Sequence, residues 1–368
     1  MKNYNESNNI LKVSSPGRVC LFGEHQDYLG LPVIASAISL RIYIDGSLKD
    51  GGEAVIHLPD INDQEAFSLS GQIPYVKERD YFRSSVNVMK KHGYTFSRGI
   101  ECTLRGEIPI NAGTSSSSAL VVTWINFLAR ASDQSIGLSP EVIAQYAYEA
   151  EVLEFSEPGG MMDHYSTAVG GVIFLDTYPG TSVKEISPNL GTFVLGNSGE
   201  PKDTKFVLAR VKNQIQRVVK ELKESYSDFS LRSVGEDKIE KYAGKLTKEQ
   251  VELLRGTVKN RDLTWKALST LSQDHVDRSK VGELMNEHQD VLRDILKIST
   301  PKIDRMIAAS LDAGAYGGKI NGSGGGGCMF AYAPENASEV KAAIEKEGGE
   351  AYIISVAHGT RSDVMEAA

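Results

Sequence analysis

The sequence predicts a mixed helix-and-sheet protein of two domains, and three observations carry that expectation. Short alternating apolar segments crowd the first third of the chain, at Val19–Phe22, Arg41–Leu48, Ala54–Leu58 and Ile100–Ile108, the pattern of an antiparallel or mixed sheet. The run Leu120–Ala131 is apolar nearly all round, as a helix buried in a core must be. From about 203 to 300 the composition turns to charged, amphipathic helix, which marks a second domain. A length of 368 residues fits two such units, with the expected division at 1–200 and 201–368.

Each element has its own local signal. Val19 and Leu21 alternate with Cys20 and Phe22 and open into a turn crowded with Arg18, Glu24, His25, Asp27 and Tyr28. Pro32–Ile38 is an apolar segment before the strand at Arg41–Leu48, and Asp50-Gly51-Gly52 reads as a hairpin turn into Ala54–Leu58. Residues 59–80 read as loop, and Tyr81–Lys91 as a helix stopped by Gly93. Ser139 caps a helix with Pro140 at its first position. That helix carries Glu149, Glu151 and Glu154 and stops before Pro158-Gly159-Gly160. A strand follows at Gly171–Asp176, then a further apolar segment at Thr192–Leu195. Thr300 and Pro301 open another helix, a Gly-rich turn lies between Lys319 and Tyr332, and a final helix and strand occupy about 335–356.

Composition narrows the functional classes. With 41% hydrophobic and 24% charged residues the chain can bury a substantial core. A net charge of -8, without a basic stripe interleaved with aromatics, argues against nucleic acid as a partner. Cys20, Cys102 and Cys328 share no metal-like spacing and cannot all pair, which suits a reducing compartment. Met1–Asn9 is polar and no apolar run spans a bilayer, so a cytoplasmic monomer or homodimer with no membrane partner is expected.

The chemistry-bearing stretch is Pro109-Ile-Asn-Ala-Gly-Thr-Ser-Ser-Ser-Ser-Ala119. It feeds the N-terminus of the buried helix, where unpaired N–H groups and the positive dipole end favour an anion. Gly113 allows close backbone approach and Ser115, Ser116, Ser117 and Ser118 add hydroxyls, so the stretch reads as a phosphate cradle or as a Ser-rich cap on an ordinary core helix. Gly322–Gly327 formally fits G-x-G-x-x-G, but an apolar strand-like segment follows where a dinucleotide fingerprint needs a helix. Gly318-Lys319 lacks the rest of a P-loop, and neither a protein-kinase catalytic loop nor a Gly-x-Ser-x-Gly elbow occurs. A phosphoryl transferase needs a phosphate cradle, a metal ligand and a group that orients or deprotonates the acceptor hydroxyl. The Ser-rich loop, the acidic helix at 141–155 and Asp163 supply candidates for these parts, and Glu24, His25 and Asp27 suit a small polyol. An ATP-using small-molecule kinase is the reading that results.

These residues also carry a resemblance. Gly17-Arg-Val-Cys-Leu-Phe-Gly-Glu-His-Gln-Asp-Tyr28 resembles the N-terminal signature of galactokinases, Pro109–Ala119 the ATP-binding motif of the GHMP kinases, and Gly322–Cys328 their third motif. The resemblance implies a two-domain α+β GHMP kinase fold, with a ribosomal protein S5 domain 2-like N-terminal domain, a ferredoxin-like C-terminal domain and the site in the cleft between them. It implies Asp163 as base or orienting carboxylate with Arg18 beside it, and Glu24, His25, Asp27 and Gly160 as sugar-binding residues. It further implies Ala112, Gly113, Thr114, Ser115, Ser116, Ser117, Ser118 and Gly324 around ATP, and Ser117 and Glu151 as ligands of Mg²⁺. The chain departs from the family at Gln26, Leu29, Thr114, Ser118 and Gly159. The implied reaction moves the γ-phosphate of ATP to a sugar hydroxyl, the anomeric one of galactose or a relative. A mevalonate kinase-like acceptor and a non-catalytic sugar or ATP sensor are the alternatives.

Overall fold

Two long strands organise the first half of the chain in the computed structural model, which describes residues 10–109, 113–201 and 204–365. Strands β1 (Ile10–Phe22) and β2 (Val33–Lys49) run antiparallel, from Leu11 opposite Gly46 to Phe22 opposite Ile34. Strands β3 (Glu53–Leu58) and β4 (Asp63–Ser68) pair with each other, and helix α1 (Tyr81–Lys91) follows. Strand β5 (Gly99–Gly106) then inserts between β2 and β3, antiparallel to the first and parallel to the second. Asp50–Gly52 is therefore not the expected hairpin turn. The inward face of β5, Ile100, Cys102 and Leu104, takes the place beside β2 and leaves β3 one strand further out.

Strand β4 lies inside the stretch that reads as loop. Its inward positions are Glu65 and Phe67, and the buried charge of Glu65 hides the apolar alternation. Arg83 of α1 makes that burial tolerable by donating to Glu65 at 2.8 Å.

Helices α2 (Ser116–Ala131), α3 (Pro140–Tyr148) and α4 (Met162–Val169) pack with this sheet in one core. Ser139 caps α3 as expected, accepting from the Val142 N–H, and α3 passes into a π-helical turn at Glu149–Leu153. α2 is buried on nearly every side, with Val121, Trp124, Ile125, Phe127 and Leu128 all inaccessible or nearly so. Each such side chain contributes about 1.5–3 kcal/mol of burial. That anchors the helix end that carries the serines. Strands β6 (Val172–Asp176) and β7 (Ser182–Ile186) complete the sheet beside β2.

Strand β8 (Thr192–Asn197), ahead of the expected division at 200, already belongs to a second sheet. The helical stretch is α5 (Thr204–Ser225), α6 (Lys248–Leu271) and α7 (Arg278–Asp290), followed by α8 (Pro301–Asp312). Strands β9 (Gly317–Ile320) and β10 (Cys328–Tyr332), helix α9 (Ala337–Lys346) and strand β11 (Glu350–Ser355) close the second unit. The order β11-β8-β10-β9 is antiparallel throughout, and α8 and α9 share a core with one face of it. Strand β12 (Arg361–Met365) returns to pair with β1. Among the described residues no helix is long and apolar enough to cross a membrane.

The two units are joined through β1. Cys20 faces the first core, whereas Val19 and Leu21 share a cluster with Phe193, Leu195 and Phe330 of the second sheet. The end of β1 thus lies at the junction, and the site is built there.

Candidate active site

Arg18 is buried near the end of β1, and all of its hydrogen bonding is directed. Nε donates to Asp163 Oδ1 at 2.8 Å, and one terminal nitrogen donates to Oδ2 at 2.8 Å. The other terminal nitrogen donates to the Gly113 carbonyl at 2.7 Å. One planar guanidinium therefore fixes both the carboxylate and the start of the Ser-rich loop, a task for which its rigid fork is suited. Asp163 sits in the first turn of α4, and its side chain remains 31% exposed. Burial works to raise the Asp163 carboxyl, but Arg18 and the Ser115 hydroxyl outweigh it and hold the group below the usual carboxylate range.

Gly113 is also the meeting point of the three motifs. Asn321 donates to the same Gly113 carbonyl at 2.9 Å and accepts from the Cys20 N–H at 2.9 Å. Gly322 carries φ +77, and a Cβ there would lie 2.7 Å from the Gly113 oxygen. The β9–β10 hairpin can therefore approach the loop only through glycine. Beyond Gly113 the chain turns through Ser115 at φ +60, whose side chain makes no capping bond to α2. The first N–H groups of α2 are left for a ligand, in the setting that binds anions.

Glu24 is used differently from Arg18. Its carboxylate is buried, pairs with Lys319 of β9 and accepts from the Gly322 N–H at 2.6 Å. The Lys319 ammonium also donates to the carbonyls of Cys20 and Ile320, each at 2.9 Å. This pair bridges the two units rather than facing a ligand. His25, at φ +62, lies between Tyr28 OH at 2.9 Å on Nδ1 and the Ser323 carbonyl at 3.1 Å on Nε2. A carbonyl can only accept, so Nε2 carries the proton and Nδ1 accepts from the tyrosine. Asp27 accepts from the Tyr28 N–H at 2.9 Å and the Met162 N–H at 3.1 Å, and burial raises its carboxyl. Gly160 touches Asp27 so closely that a Cβ would fall 1.9 Å from its oxygen.

Glu151 lies in the π-helical turn and accepts a hydrogen bond from His164 Nε2 at 2.8 Å. Its other oxygen has no hydrogen-bond partner among the described residues. Among those residues there is no group of three or more His, Cys, Asp or Glu that could hold a metal by itself.

Most of the residues expected from sequence line one cavity of about 370 Å³. Arg18, Glu24, His25, Asp27, Gly160 and Asp163 border it, with Gly113, Ser115–Ser118 and Glu151. The second unit contributes Leu208, Gly322 and Ser323, so the cavity is a cleft between the units. Thr114 and Gly324 do not line it. Thr114 is fully buried and gives its carbonyl to the Arg18 N–H, and Gly324 packs against Ile298. Ala112 lies outside the described residues. Lys319 and Asn321 were not singled out as site residues by sequence, although both sit in the Gly-rich stretch. The departures at Gln26 and Leu29 are absorbed by packing. Gln26 donates to Thr264 of α6 at 3.0 Å, and Leu29 packs on the α5–α6 cluster.

Comparison with known proteins identifies the family. The chain matches the GHMP kinases N terminal domain over residues 80–171, GHMP kinases C terminal over 274–350, and the galactokinase galactose-binding signature over 1–47. It is 31% identical over 345 residues to a mevalonate kinase from Pyrococcus horikoshii, covering 91% of this chain and 92% of the relative. A galactokinase from Haemophilus influenzae is 27% identical, with 89% and 86% covered. The fold is similar to that of Lactococcus lactis galactokinase complexed with galactose, at a TM-score of 0.85 and 20% identity over 97% of this chain and 96% of that one. The chain belongs to the GHMP kinases and is, with them, an ATP-dependent phosphotransferase whose acceptor is a hydroxyl group.

Proposed function

We propose that the chain transfers the γ-phosphate of ATP to a sugar hydroxyl, with the anomeric hydroxyl of galactose or a related sugar as the leading acceptor. The observation that carries this reading is the Arg18–Asp163 pair, a carboxylate pinned through both oxygens yet 31% exposed. The galactose-binding signature over residues 1–47 supports a sugar at the same end of the cavity.

In this reading the acceptor O–H donates to Asp163, which aims its oxygen at the γ-phosphorus. A new O–P bond forms as the bond to the ADP oxygen breaks, and the acceptor proton passes to Asp163. A carboxylate held below its usual range is a weak base, so Asp163 chiefly orients the hydroxyl and takes the proton late, as a loose transition state permits. Arg18 keeps Asp163 ionised and ties it to the loop that would wrap the triphosphate. Ser117 and Glu151 would hold Mg²⁺, which usually takes only one or two protein ligands beside substrate phosphates and water. The ion would offset phosphate charge. The chain is proposed to act in the cytoplasm.

A mevalonate-type acceptor is the second reading, favoured by the 31% identity to the mevalonate kinase and by the commitment of the Glu24 carboxylate to Lys319 and the Gly322 N–H. The test is ADP release with Mg-ATP across galactose, other free sugars, uronic acids and mevalonate. Turnover with a sugar upholds the proposal. Turnover with mevalonate alone replaces it with the second reading.

A further inference from the structure

The charges around the cavity can be balanced one by one. Asp163 is paired with Arg18, Glu24 with Lys319, and Glu151 with His164. Glu157 receives two bonds from Arg79, at 3.0 and 2.9 Å, and Asp27 rests on two backbone N–H groups. Among the described residues one cation beside the cavity is left over. Lys212 of α5 has no carboxylate within ion-pair distance among the described residues.

Its placement is nevertheless specific. Lys212 is half-buried, one turn beyond the cavity-lining Leu208, and its ammonium donates to the Pro158 carbonyl at 3.1 Å. The same nitrogen lies 5.3 Å from the centroid of the Tyr28 ring. Both contacts belong to the wall that frames Asp163. Tyr28 is bonded to His25, and Pro158–Gly160 packs on Asp27 and leads into α4. One carbonyl and one ring face use only part of an ammonium with three N–H donors. Burial depresses the Lys212 ammonium, and only the Asp27 charge opposes that. A cation kept partly out of water with no anion at ion-pair distance among the described residues is costly. A ligand anion arriving at this wall would supply one.

We propose that the acceptor is a sugar acid whose carboxylate is taken by Lys212 against the Tyr28 ring. This rests on the sugar-kinase reading above and names its substrate class. A single ammonium matches the one charge of a carboxylate. A phosphate ester brings nearly two, and the neighbouring guanidinium of Arg79 is already committed to Glu157. The Ser-rich loop, in contrast, offers backbone N–H groups and hydroxyls to its anion, so the two anionic groups of a ternary complex would have separate sites.

The experiment compares kcat/KM for galacturonate, glucuronate, galactose and mevalonate in the wild type, Lys212→Met and Lys212→Arg. The expected result is an acid preferred over galactose by about tenfold or more. In Lys212→Met the acid-to-galactose ratio falls by about 10- to 100-fold, as loss of a charge-assisted bond implies, and Lys212→Arg retains most of it. Galactose used as well as the acids, with a ratio unmoved by Lys212→Met, overturns this inference and leaves the sugar-kinase reading standing. A raised KM for ATP with a constant ratio also overturns it, placing Lys212 with the nucleotide. Phosphorylation of mevalonate but of no sugar acid overturns both readings. Absence of turnover with all four, together with no galacturonate binding by calorimetry, overturns it as well.

Discussion

Arg18–Asp163 and Glu24–Lys319 are two ion pairs raised by one short motif, and they do different work. The first is half open: Arg18 is buried, while Asp163 is 31% exposed to the cavity. The second is sealed, with side-chain exposures of 0% and 1%. In the first, the guanidinium leaves the carboxylate a free approach for a hydroxyl. In the second, the ammonium and the Gly322 N–H use the carboxylate oxygens, and the pair welds β1 to β9. Residues a few positions apart thus divide into chemistry and assembly according to what lies across from them.

The sealed pair predicts the largest effect on stability. Lys319→Met should strand a buried carboxylate and cost about 3–5 kcal/mol in urea unfolding, while Glu24→Gln with Lys319→Met should recover part of that. An unchanged midpoint for Lys319→Met would erase the contrast between the pairs. Gly322→Ala comes next. Its added Cβ meets the Gly113 oxygen at a positive φ, so a cost of about 1–3 kcal/mol and a raised KM for ATP are expected. A wild-type KM in that variant would show that the hairpin does not shape the phosphate loop.

The smallest effect sharpens the sealed side through pH. His288 is fully buried and stacks on Phe22, and burial, then Lys319, holds its ring well below the ordinary value. The unfolded chain binds a proton at this residue below about pH 6.5 and the folded one does not. Stability should therefore fall as pH drops below that value, by up to about 1.4 kcal/mol per unit, and His288→Leu should remove this part of the slope. A slope unchanged in His288→Leu would assign the loss to other groups.

Local signals made much of this molecule legible. The all-round apolar run of α2, the Ser139 and Thr300 caps and the Gly-rich hairpin each declare themselves within a few residues. The galactokinase-like motif likewise pointed to the residues that line the cavity. Long-range choices were not legible. Nothing near Glu24 announces a lysine 295 residues away, so its carboxylate reads as available for a ligand. The insertion of β5 between β2 and β3, and the return of β12 to β1, are pairings that no local pattern encodes. Strand β4 is hidden in the sequence because Glu65, an inward position, carries a charge answered by Arg83 and Lys77 from outside the strand. Lys212 reads as one lysine among many on an amphipathic helix until Tyr28 and Pro158 are placed beneath it.

The measurement that bears most directly on the account is acceptor-dependent ADP release by Asp163→Asn, run beside its urea unfolding curve. The substitution keeps the shape and a hydrogen bond to Arg18 but removes the charge and the proton acceptor. The account predicts turnover lower by about 10²- to 10⁴-fold in a protein that still folds cooperatively, its unfolding midpoint lowered by the loss of the Arg18 counter-charge. Near-normal turnover in a folded Asp163→Asn protein would contradict it.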